Sequence, residues 1–229
     1  MKLYGLQKMT LLDFPEHVAC TVFLGGCDFR CPFCHNYELA EGKAPVVMEE
    51  EEFFRFMAKR HGLLDGVAIT GGEPCIYREL PAFMARIKEE GFAVKLDTNG
   101  YHPELLRQIL SEGLADYVAM DIKNSPEKYA RTAGVAHVDL AKIRESIAML
   151  TQEAPDYEFR TTLVAQFHEE TDIHEMGKMI RGAKRYFLQS FIDREQVPFE
   201  GFSAPSAQEL AQYLAVAREY VPAAQMRGS

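Results

Sequence analysis

Short apolar runs alternate with amphipathic stretches along most of the 229-residue chain. The apolar runs are four to eight residues long, rich in β-branched and aromatic side chains, and bounded by glycine or polar residues. Runs of this kind predict strands that are buried on both faces. We predict six such strands, at residues 18–24, 66–70, 93–96, 117–122, 157–164 and 186–191.

The stretches between these strands carry apolar residues at helical spacing. In residues 79–90, Leu80, Phe83, Met84 and Ile87 fall on one face of a helix, and Gly91 follows as a C-terminal stop. We predict helices at residues 49–60, 79–90, 103–112, 141–152, 173–181 and 207–219, and a short helical turn that begins at Pro126.

Strands that alternate with helices form a parallel sheet with helices packed on its outer face. Six β/α units are too few for a complete eightfold barrel, which needs about 250 residues. We therefore predict an α/β fold, a partial (β/α)6 TIM-type barrel whose parallel sheet is open and curved. No linker or low-complexity segment interrupts residues 1–225, so they are expected to form a single domain, and residues 226–229 are expected to be a disordered tail or a cloning remnant.

Chemically unusual residues follow four consecutive predicted strands. Because the carboxyl ends of parallel strands meet at the edge of the sheet where ligands bind, we expect these residues to form one site. They are, in chain order, Gly25, Gly26 and Cys27; Thr70, Gly71, Gly72 and Glu73; Asp97, Thr98, Asn99 and Gly100; and Asp121 and Lys123.

Charge and composition argue against several classes of function. Lys and Arg total 25 against 34 Asp and Glu, a formal charge of −9, which disfavours a nucleic-acid partner held through its phosphates. No apolar run approaches the roughly 18–20 residues of a membrane span. Residues 1–8 lack the apolar core of a signal peptide, so a cytoplasmic location is expected. The five cysteines, an odd number, argue against a disulfide framework.

Three of the cysteines lie within eight residues, Cys27, Cys31 and Cys34 in the segment GGCDFRCPFCHN. Thiolates are soft ligands suited to iron–sulfur clusters, zinc or copper. Three thiolates on one loop can hold three corners of a 4Fe-4S cluster and leave the fourth iron open. A structural zinc site needs four ligands, and the nearby His35 adjoins Cys34 and is poorly placed to be the fourth. A redox-active thiol is a further alternative.

This triplet, followed by Gly71-Gly72-Glu73 after the next strand, resembles the radical S-adenosylmethionine (SAM) superfamily, whose fold is a partial β/α barrel. Three further features resemble the glycyl-radical-enzyme activases: LLDFP at residues 11–15, HN at residues 35–36, and the DTNG and DIK segments at residues 97–100 and 121–123. The compact length and the segment VFLGGCDFRCPFCHN most resemble the activating protein of anaerobic ribonucleoside-triphosphate reductase.

The resemblance implies a radical SAM oxidoreductase in which SAM binds the open iron of the cluster. An electron, supplied by reduced flavodoxin or ferredoxin, would cleave SAM to methionine and a 5′-deoxyadenosyl radical, which takes a hydrogen atom from a glycine of the partner reductase. Alternatives are the activase of a pyruvate formate-lyase-like enzyme, a small-molecule radical SAM enzyme such as a 7-carboxy-7-deazaguanine synthase, and, from a different class, a zinc-bound interaction domain.

The same resemblance implies roles for the residues around the cysteine triplet. Gly71 and Gly72 would let the backbone approach a ligand closely, although they could also form a plain turn after a strand. Glu73 would accept a hydrogen bond from the methionyl ammonium group of SAM. His35 and Asn36 would hydrogen-bond the cluster sulfurs or the cofactor.

Two strand-end aspartates are expected to face each other across the site. Two close carboxylates would raise the pKa of one of them unless a cation lies between them. By resemblance, Asp97, Thr98 and Asp121 would hold a monovalent cation against the SAM carboxylate. Lys123, on the same side as Asp121, would supply positive charge to that carboxylate, and Asn99 is expected to contact the cofactor. The alternative is an Asx turn that begins at Asp97, with Lys123 at the surface.

Residues of the later strands complete the predicted site. Arg160 lies within an apolar strand and either points inward, toward a carboxylate or the substrate, or faces solvent at a frayed strand start. Gln189 would contact the nucleoside of SAM, again by resemblance. Cys20 is expected to pack in the core, and Cys75 has no assigned role.

Overall fold

Ten strands and eight α-helices form the fold of residues 1–228, the part of the chain that the computed structural model describes. The strands are β1 (Lys2–Leu3), β2 (Gly5–Thr10), β3 (Ala19–Leu24), β4 (Met48–Glu49), β5 (Gly66–Gly71), β6 (Ala93–Thr98), β7 (Tyr117–Asp121), β8 (Tyr157–Leu163), β9 (Tyr186–Ser190) and β10 (Gln225–Arg227). The helices are α1 (Tyr37–Ala40), α2 (Glu50–Met57), α3 (Leu80–Glu89), α4 (Pro103–Ser111), α5 (Tyr129–Ala133), α6 (Leu140–Glu153), α7 (Glu170–Met179) and α8 (Ala207–Tyr220), with a 3-10 turn at Pro74–Ile76.

Six parallel strands form the middle of one sheet and follow one another in chain order: β3, β5, β6, β7, β8 and β9. They are the six strands predicted from the apolar runs, with ends that differ by one or two residues. The six predicted helices are α2, α3, α4, α6, α7 and α8, while the helical turn expected at Pro126 begins later, as α5 at Tyr129. Within residues 1–228, no helix is long and apolar enough to cross a membrane.

The sheet has one additional strand at each edge. β2 pairs antiparallel with β3, and β10 pairs parallel with β9. These two edge strands are not bonded to each other, so the sheet stays open. The apolar-run pattern missed β2 because its residues Gln7, Lys8 and Met9 are exposed, and an edge strand with one solvated face needs no continuous apolar run.

The end of the chain corrects one expectation. Met226 and Arg227 lie in β10 and not in a disordered tail. Arg227 donates hydrogen bonds of 2.6 and 2.8 Å to Glu158, and its guanidinium lies 3.6 Å from the ring centroid of Phe187. Because Glu158 is fully buried, this ion pair anchors the strand. Ser229 lies outside the described residues.

The helices cover the outer face of the sheet with their apolar sides. On α2 the buried residues include Phe53 and Met57, and on α3 they include Phe83, Met84 and Ile87. The rings of Phe53 and Phe83 contact each other, with centroids 5.5 Å apart. The amphipathic patterns therefore place these helices as the sequence predicts, and they leave the inner face of the sheet free to form a site.

The inner face curves around a cavity at the carboxyl ends of the strands. Neighbouring strands lie about 4.8 Å apart, so six strands in a flat sheet would spread their ends over about 24 Å. Residues at or just after the ends of all six central strands nevertheless line one cavity of about 280 Å³. The sheet therefore curls without closing, which confirms the predicted α/β fold with a partial, open barrel.

Candidate active site

One cavity brings together nearly all the residues that the sequence singled out. The predicted cofactor and metal contacts that line it are Cys27, Cys31, Cys34, Gly71, Gly72, Asp97, Thr98, Asn99, Asp121, Lys123, Arg160 and Gln189. His35 and Asn36 line it as well, whereas Glu73 does not. The cavity therefore collects side chains from every central strand end at one place.

The three cysteine thiols lie on the loop after β3. Burial raises the pKa of Cys27 to about 12 and that of Cys31 to about 11, and it also raises the pKa of Cys34. Such thiols lose their protons when a metal takes the proton's place. The sulfur of Cys27 accepts hydrogen bonds from the backbone N–H of Phe29 at 3.3 Å and from Nδ2 of Asn99 at 3.8 Å, and both bonds favour a thiolate.

This donor set fits an iron–sulfur cluster better than a single metal ion. In the part of the chain that is described, no three His, Cys, Asp or Glu side chains are grouped closely enough to hold one ion. A 4Fe-4S cluster takes each thiolate on a different iron and so spaces the sulfurs farther apart than one zinc ion would. The positive charge of Lys123 lowers the pKa of all three thiols and so favours their thiolate forms.

His35 and Asn36 hold the cysteine loop in place. Nδ2 of Asn36 donates a hydrogen bond of 3.0 Å to the carbonyl oxygen of Gly71, and Nε2 of His35 lies 2.7 Å from the carbonyl oxygen of Ile192. These bonds go to the last residue of β5 and to the backbone after β9, and both side chains also line the cavity. Both side chains therefore act by joining the loop to the strand ends.

Gly71 and Gly72 let the end of β5 lie directly against the loop after β3. Gly71 has a φ of +125°, and a Cβ atom there would overlap the backbone of Leu24. A Cβ atom on Gly72 would overlap the carbonyl oxygen of Gly26. The N–H of Gly72 donates to the carbonyl of Leu24 at 2.9 Å, and that of Glu73 donates to the carbonyl of Gly26 at 2.8 Å. The absence of side chains at Gly71 and Gly72 thus allows the two backbone segments to pack closely, and both glycines also line the cavity.

Glu73 has a different environment from the one predicted. Its carboxylate is 1% exposed, which leaves no surface for a ligand. Oε1 accepts hydrogen bonds from the N–H of Cys75 at 2.9 Å and the hydroxyl of Thr98 at 2.7 Å, and Oε2 accepts one from the N–H of Asn99 at 2.6 Å. The carboxylate joins the ends of β5 and β6, so the expected bond to the SAM ammonium group is not supported.

Cations pair with the two aspartates that end β6 and β7. Nη1 of Arg160 lies 3.2 Å from Oδ2 of Asp97, and its Nε lies 3.0 Å from Oδ1 of Asp121. Nζ of Lys123 lies 3.0 Å from Oδ2 of Asp121, and Lys95 forms an ion pair with Oδ1 of Asp97. Arg160 therefore points inward, and neither the solvent-facing alternative nor a surface position for Lys123 is correct.

These ion pairs keep both carboxylates ionised. Burial would raise the pKa of Asp97, but the nearby Arg160 and Lys95 outweigh burial and lower it. For Asp121, Lys123 and Arg160 outweigh burial and lower the pKa to about 2. Both carboxylates are therefore negative at neutral pH, and the raised pKa values of Arg160 and Lys123 keep these two side chains charged.

The expected monovalent-cation site is not formed by these residues. Every carboxylate oxygen of Asp97 and Asp121 has a cationic side chain as its partner. The hydroxyl of Thr98, the third expected ligand, donates its hydrogen to Glu73. The residues therefore do not fit an inorganic cation, because protein cations already neutralise the charges that such an ion would meet.

Sequence reasoning missed three residues that shape this site. Lys95 interrupts an apolar strand in the same way as Arg160, and that signal could have identified it. His102 and Asp28 join the cysteine loop to the segment after β6, with Nε2 of His102 2.7 Å from Oδ2 of Asp28. This hydrogen bond raises the pKa of His102. Only the position of Asp28 beside Cys27 hinted at its role.

Comparison with known proteins identifies a family for this architecture. Residues 21–180 match the family model described as the radical SAM superfamily, a span that includes the cysteine loop and the strand ends up to β8. A Methanocaldococcus jannaschii protein assigned as a glycyl-radical enzyme activating enzyme, MJ1227, is 31% identical over 229 aligned positions, which cover 95% of this chain and 92% of that protein.

Two pyruvate formate-lyase-activating enzymes are also similar. The Clostridium pasteurianum enzyme is 30% identical over 131 residues, covering 54% of this chain and 52% of that enzyme. The crystal structure of a domain of the Bacteroides vulgatus enzyme superposes with a TM-score of 0.57 at 19% identity, covering 71% of this chain and 99% of that domain. At that level of identity, the superposition bears on the fold alone.

Proposed function

The chain belongs to the radical SAM superfamily, and from that premise we propose that it is a glycyl-radical-enzyme activase whose partner is an anaerobic ribonucleoside-triphosphate reductase. The family binds a 4Fe-4S cluster and SAM, which supply a 5′-deoxyadenosyl radical when bound. The protein's own contribution is to hold the cofactor, to shield it from water and to admit the substrate glycine.

The observation that carries the proposal is the meeting of three thiols and a charged network in one cavity. Cys27, Cys31 and Cys34 would ligate three irons of the cluster. Lys123 and Arg160 carry the positive charge that would orient the carboxylate of SAM. Gly71 and Gly72, which line the same cavity, would lie beside its amino end, and Asn99 and Gln189, which also line the cavity, would contact the remainder of the cofactor.

An open barrel suits a substrate that is part of another protein. Because the edge strands β2 and β10 are not bonded to each other, the cavity is not enclosed by a full ring of strands. A backbone loop of a partner could therefore reach it, and a glycine on that loop suits the reaction since flanking amide groups stabilise its radical. Similarity to MJ1227 along 95% of the chain supports this class of substrate.

The identity of the partner rests on the segment VFLGGCDFRCPFCHN and the compact length, which favour the ribonucleotide reductase. A pyruvate formate-lyase-like partner is the second candidate, and the 30% identity to the Clostridium pasteurianum activase favours it. Reduced flavodoxin or ferredoxin would supply the electron in either case.

The test mixes the reconstituted, reduced enzyme and SAM with each candidate partner under anaerobic conditions. Electron paramagnetic resonance is expected to show a glycyl radical on the ribonucleotide reductase, and no signal when the radical-bearing glycine of that reductase is changed to alanine. A glycyl radical on the pyruvate formate-lyase-like enzyme alone would show that this enzyme, and not the reductase, is the partner. SAM cleavage without a glycyl radical on either protein would refute the activase proposal and point to a small-molecule substrate.

A further inference from the structure

Lys95 is a buried charge that the family resemblance does not explain. It lies on β6 with 3% of its surface exposed, two residues before Asp97 and therefore on the same face of the strand. In register beside it are Ala68 on β5 and Tyr117 on β7. A lysine placed among such neighbours is costly to bury unless its ammonium group is paired.

Asp97 pairs with the ammonium group of Lys95 and also with Arg160, so that Lys95 belongs to a longer chain of charges. The order along this chain is Lys95, Asp97, Arg160, Asp121, Lys123, with alternating positive and negative groups. Three cations and two anions leave the set with a net charge of +1, from 3 − 2. Each carboxylate oxygen of the two aspartates therefore has a cationic partner before any ligand binds.

The strand register makes the chain of charges continuous. Arg160 on β8 lies opposite Asp121 on β7, and Ala119 on β7 lies opposite Asp97 on β6. Because Ala119 is small, the guanidinium of Arg160 can extend across β7 and contact both aspartates. A larger side chain at that position would block the path between β8 and β6.

We propose that Lys95 takes the place of a bound monovalent cation, so that SAM binding by this enzyme does not depend on Na⁺ or K⁺. The net charge of +1 balances the single negative charge of the SAM carboxylate. Without Lys95 the remaining four groups are neutral, the SAM carboxylate is uncompensated, and an inorganic cation gains a place beside Asp97. The proposal concerns cofactor binding and holds whichever substrate the enzyme acts on.

The test measures the Kd for radiolabelled SAM by equilibrium dialysis of the reconstituted enzyme. The buffers contain KCl, NaCl or tetramethylammonium chloride at equal ionic strength, since tetramethylammonium is too large to bind between two carboxylates. The natural enzyme is expected to give Kd values within about twofold of one another, a difference below that of one charged hydrogen bond. Weaker binding by the natural enzyme in tetramethylammonium would overturn the proposal.

The second part of the experiment measures the Kd for SAM of the Lys95→Met variant in the same three buffers. Its Kd is expected to rise about tenfold in tetramethylammonium, as for loss of one charge-assisted contact, and to recover in KCl or NaCl. Lys178→Met, which removes an exposed lysine on α7, is the matched control and is expected to remain independent of the salt. A Lys95→Met variant that is equally weak in all three salts would give Lys95 a structural role only and would contradict the proposal.

A readout on the cluster-free protein accompanies these assays. The ²³Na resonance is expected to show saturable broadening with Lys95→Met and none with the natural chain. Saturable broadening with the natural chain that Lys95→Met does not change would contradict the proposal. If Lys95→Met does not fold, the salt series on the natural enzyme still decides between the two results.

Discussion

The carboxylate of Glu73 is enclosed by donors from its own turn and from the next strand. Hydrogen bonds to the N–H of Cys75, the hydroxyl of Thr98 and the N–H of Asn99 use both of its oxygens. Thr98 and Asn99 both line the cavity. Glu73 therefore acts on the site by fixing its neighbours, and its contribution is measurable as stability.

Glu73→Gln tests this assignment. A glutamine presents an N–H₂ group where the carboxylate accepts a hydrogen bond, so at least one buried donor loses its partner. We expect the free energy of unfolding of the cluster-free protein to fall by about 1–3 kcal/mol in urea denaturation. Glu89→Gln, at an exposed position on α3, is expected to have no such effect. An unchanged unfolding curve combined with weaker SAM binding would instead indicate direct contact between Glu73 and SAM.

The site was largely predictable from the sequence because its residues follow strands. Cys27, Asp97 and Asp121 could be placed together without coordinates, since parallel strands bring their carboxyl ends to one edge. The sequence could not show which groups pair with each other. Pairing depends on side-chain direction and register, and for that reason the sequence did not show that Lys95 and Arg160 are the partners of Asp97.

At the scale of elements, the cysteine loop is held by contacts with three different strand ends. Asn36 bonds to the end of β5, His35 bonds to the residues after β9, and Asp28 pairs with His102 after β6. A loop fixed at separate points keeps its thiols in place without metal, which favours assembly of a cluster on a preformed site.

The pair of Asp28 and His102 makes part of this stability depend on pH. The hydrogen bond to Asp28 raises the pKa of His102 above its ordinary value of 6.5. The stabilisation is therefore complete below pH 6.5 and is lost as the pH rises through the raised pKa of the folded state.

His102→Gln should remove that dependence. We expect the variant to be less stable than the natural protein at pH 6 by no more than about 1 kcal/mol, because both side chains are partly exposed, and the difference should shrink by pH 9. Thermal unfolding at a series of pH values measures it. His137→Gln, at an exposed position, serves as control. A constant difference between His102→Gln and the natural protein across this range would show that the pair does not titrate.

Strand prediction succeeded where burial on both faces leaves a continuous apolar run, and it failed at the sheet edges. β3 through β9 in the central sheet follow that rule, but β2 presents Lys8 and Met9 to solvent. β10 has only three residues and is held by the ion pair of Arg227 with Glu158. An interaction between residues 69 positions apart leaves no local pattern in the sequence.

At the scale of the whole molecule, the two ends of the sheet have different roles, one in the candidate active site and the other in stability. The carboxyl end carries the cavity with the cysteine loop, whereas Glu158, Tyr117 and Arg227 form a hydrogen-bonded group toward the amino end. Glu158 is fully buried, and the hydroxyl of Tyr117 donates to its Oε2 at 2.6 Å. These hydrogen bonds to Glu158 hold β8 in place, and with it Arg160, two residues further along the strand.

The Arg227→Met variant measures how much the ion pair of Arg227 with Glu158 contributes to the free energy of unfolding. The substitution leaves the buried carboxylate of Glu158 with Tyr117 as its remaining partner, so we expect the free energy of unfolding to fall by about 3 kcal/mol. Adding Glu158→Gln should recover part of that loss, since no buried charge then lacks a cation. Arg144→Met, on the exposed side of α6, is the control. A loss as small as that of the control would mean that β10 does not stabilise the sheet.

The central claim is that the cavity at the strand ends holds a cluster on Cys27, Cys31 and Cys34 and cleaves SAM. The most direct measurement is 5′-deoxyadenosine formation by the anaerobically reconstituted enzyme, reduced with dithionite and given SAM without a partner protein. We predict that the natural enzyme forms this product, that Cys31→Ala forms none, and that Cys20→Ala, which changes a fully buried core cysteine, retains the activity. Absence of product from a cluster-loaded natural enzyme, or equal product from Cys31→Ala, would contradict the account.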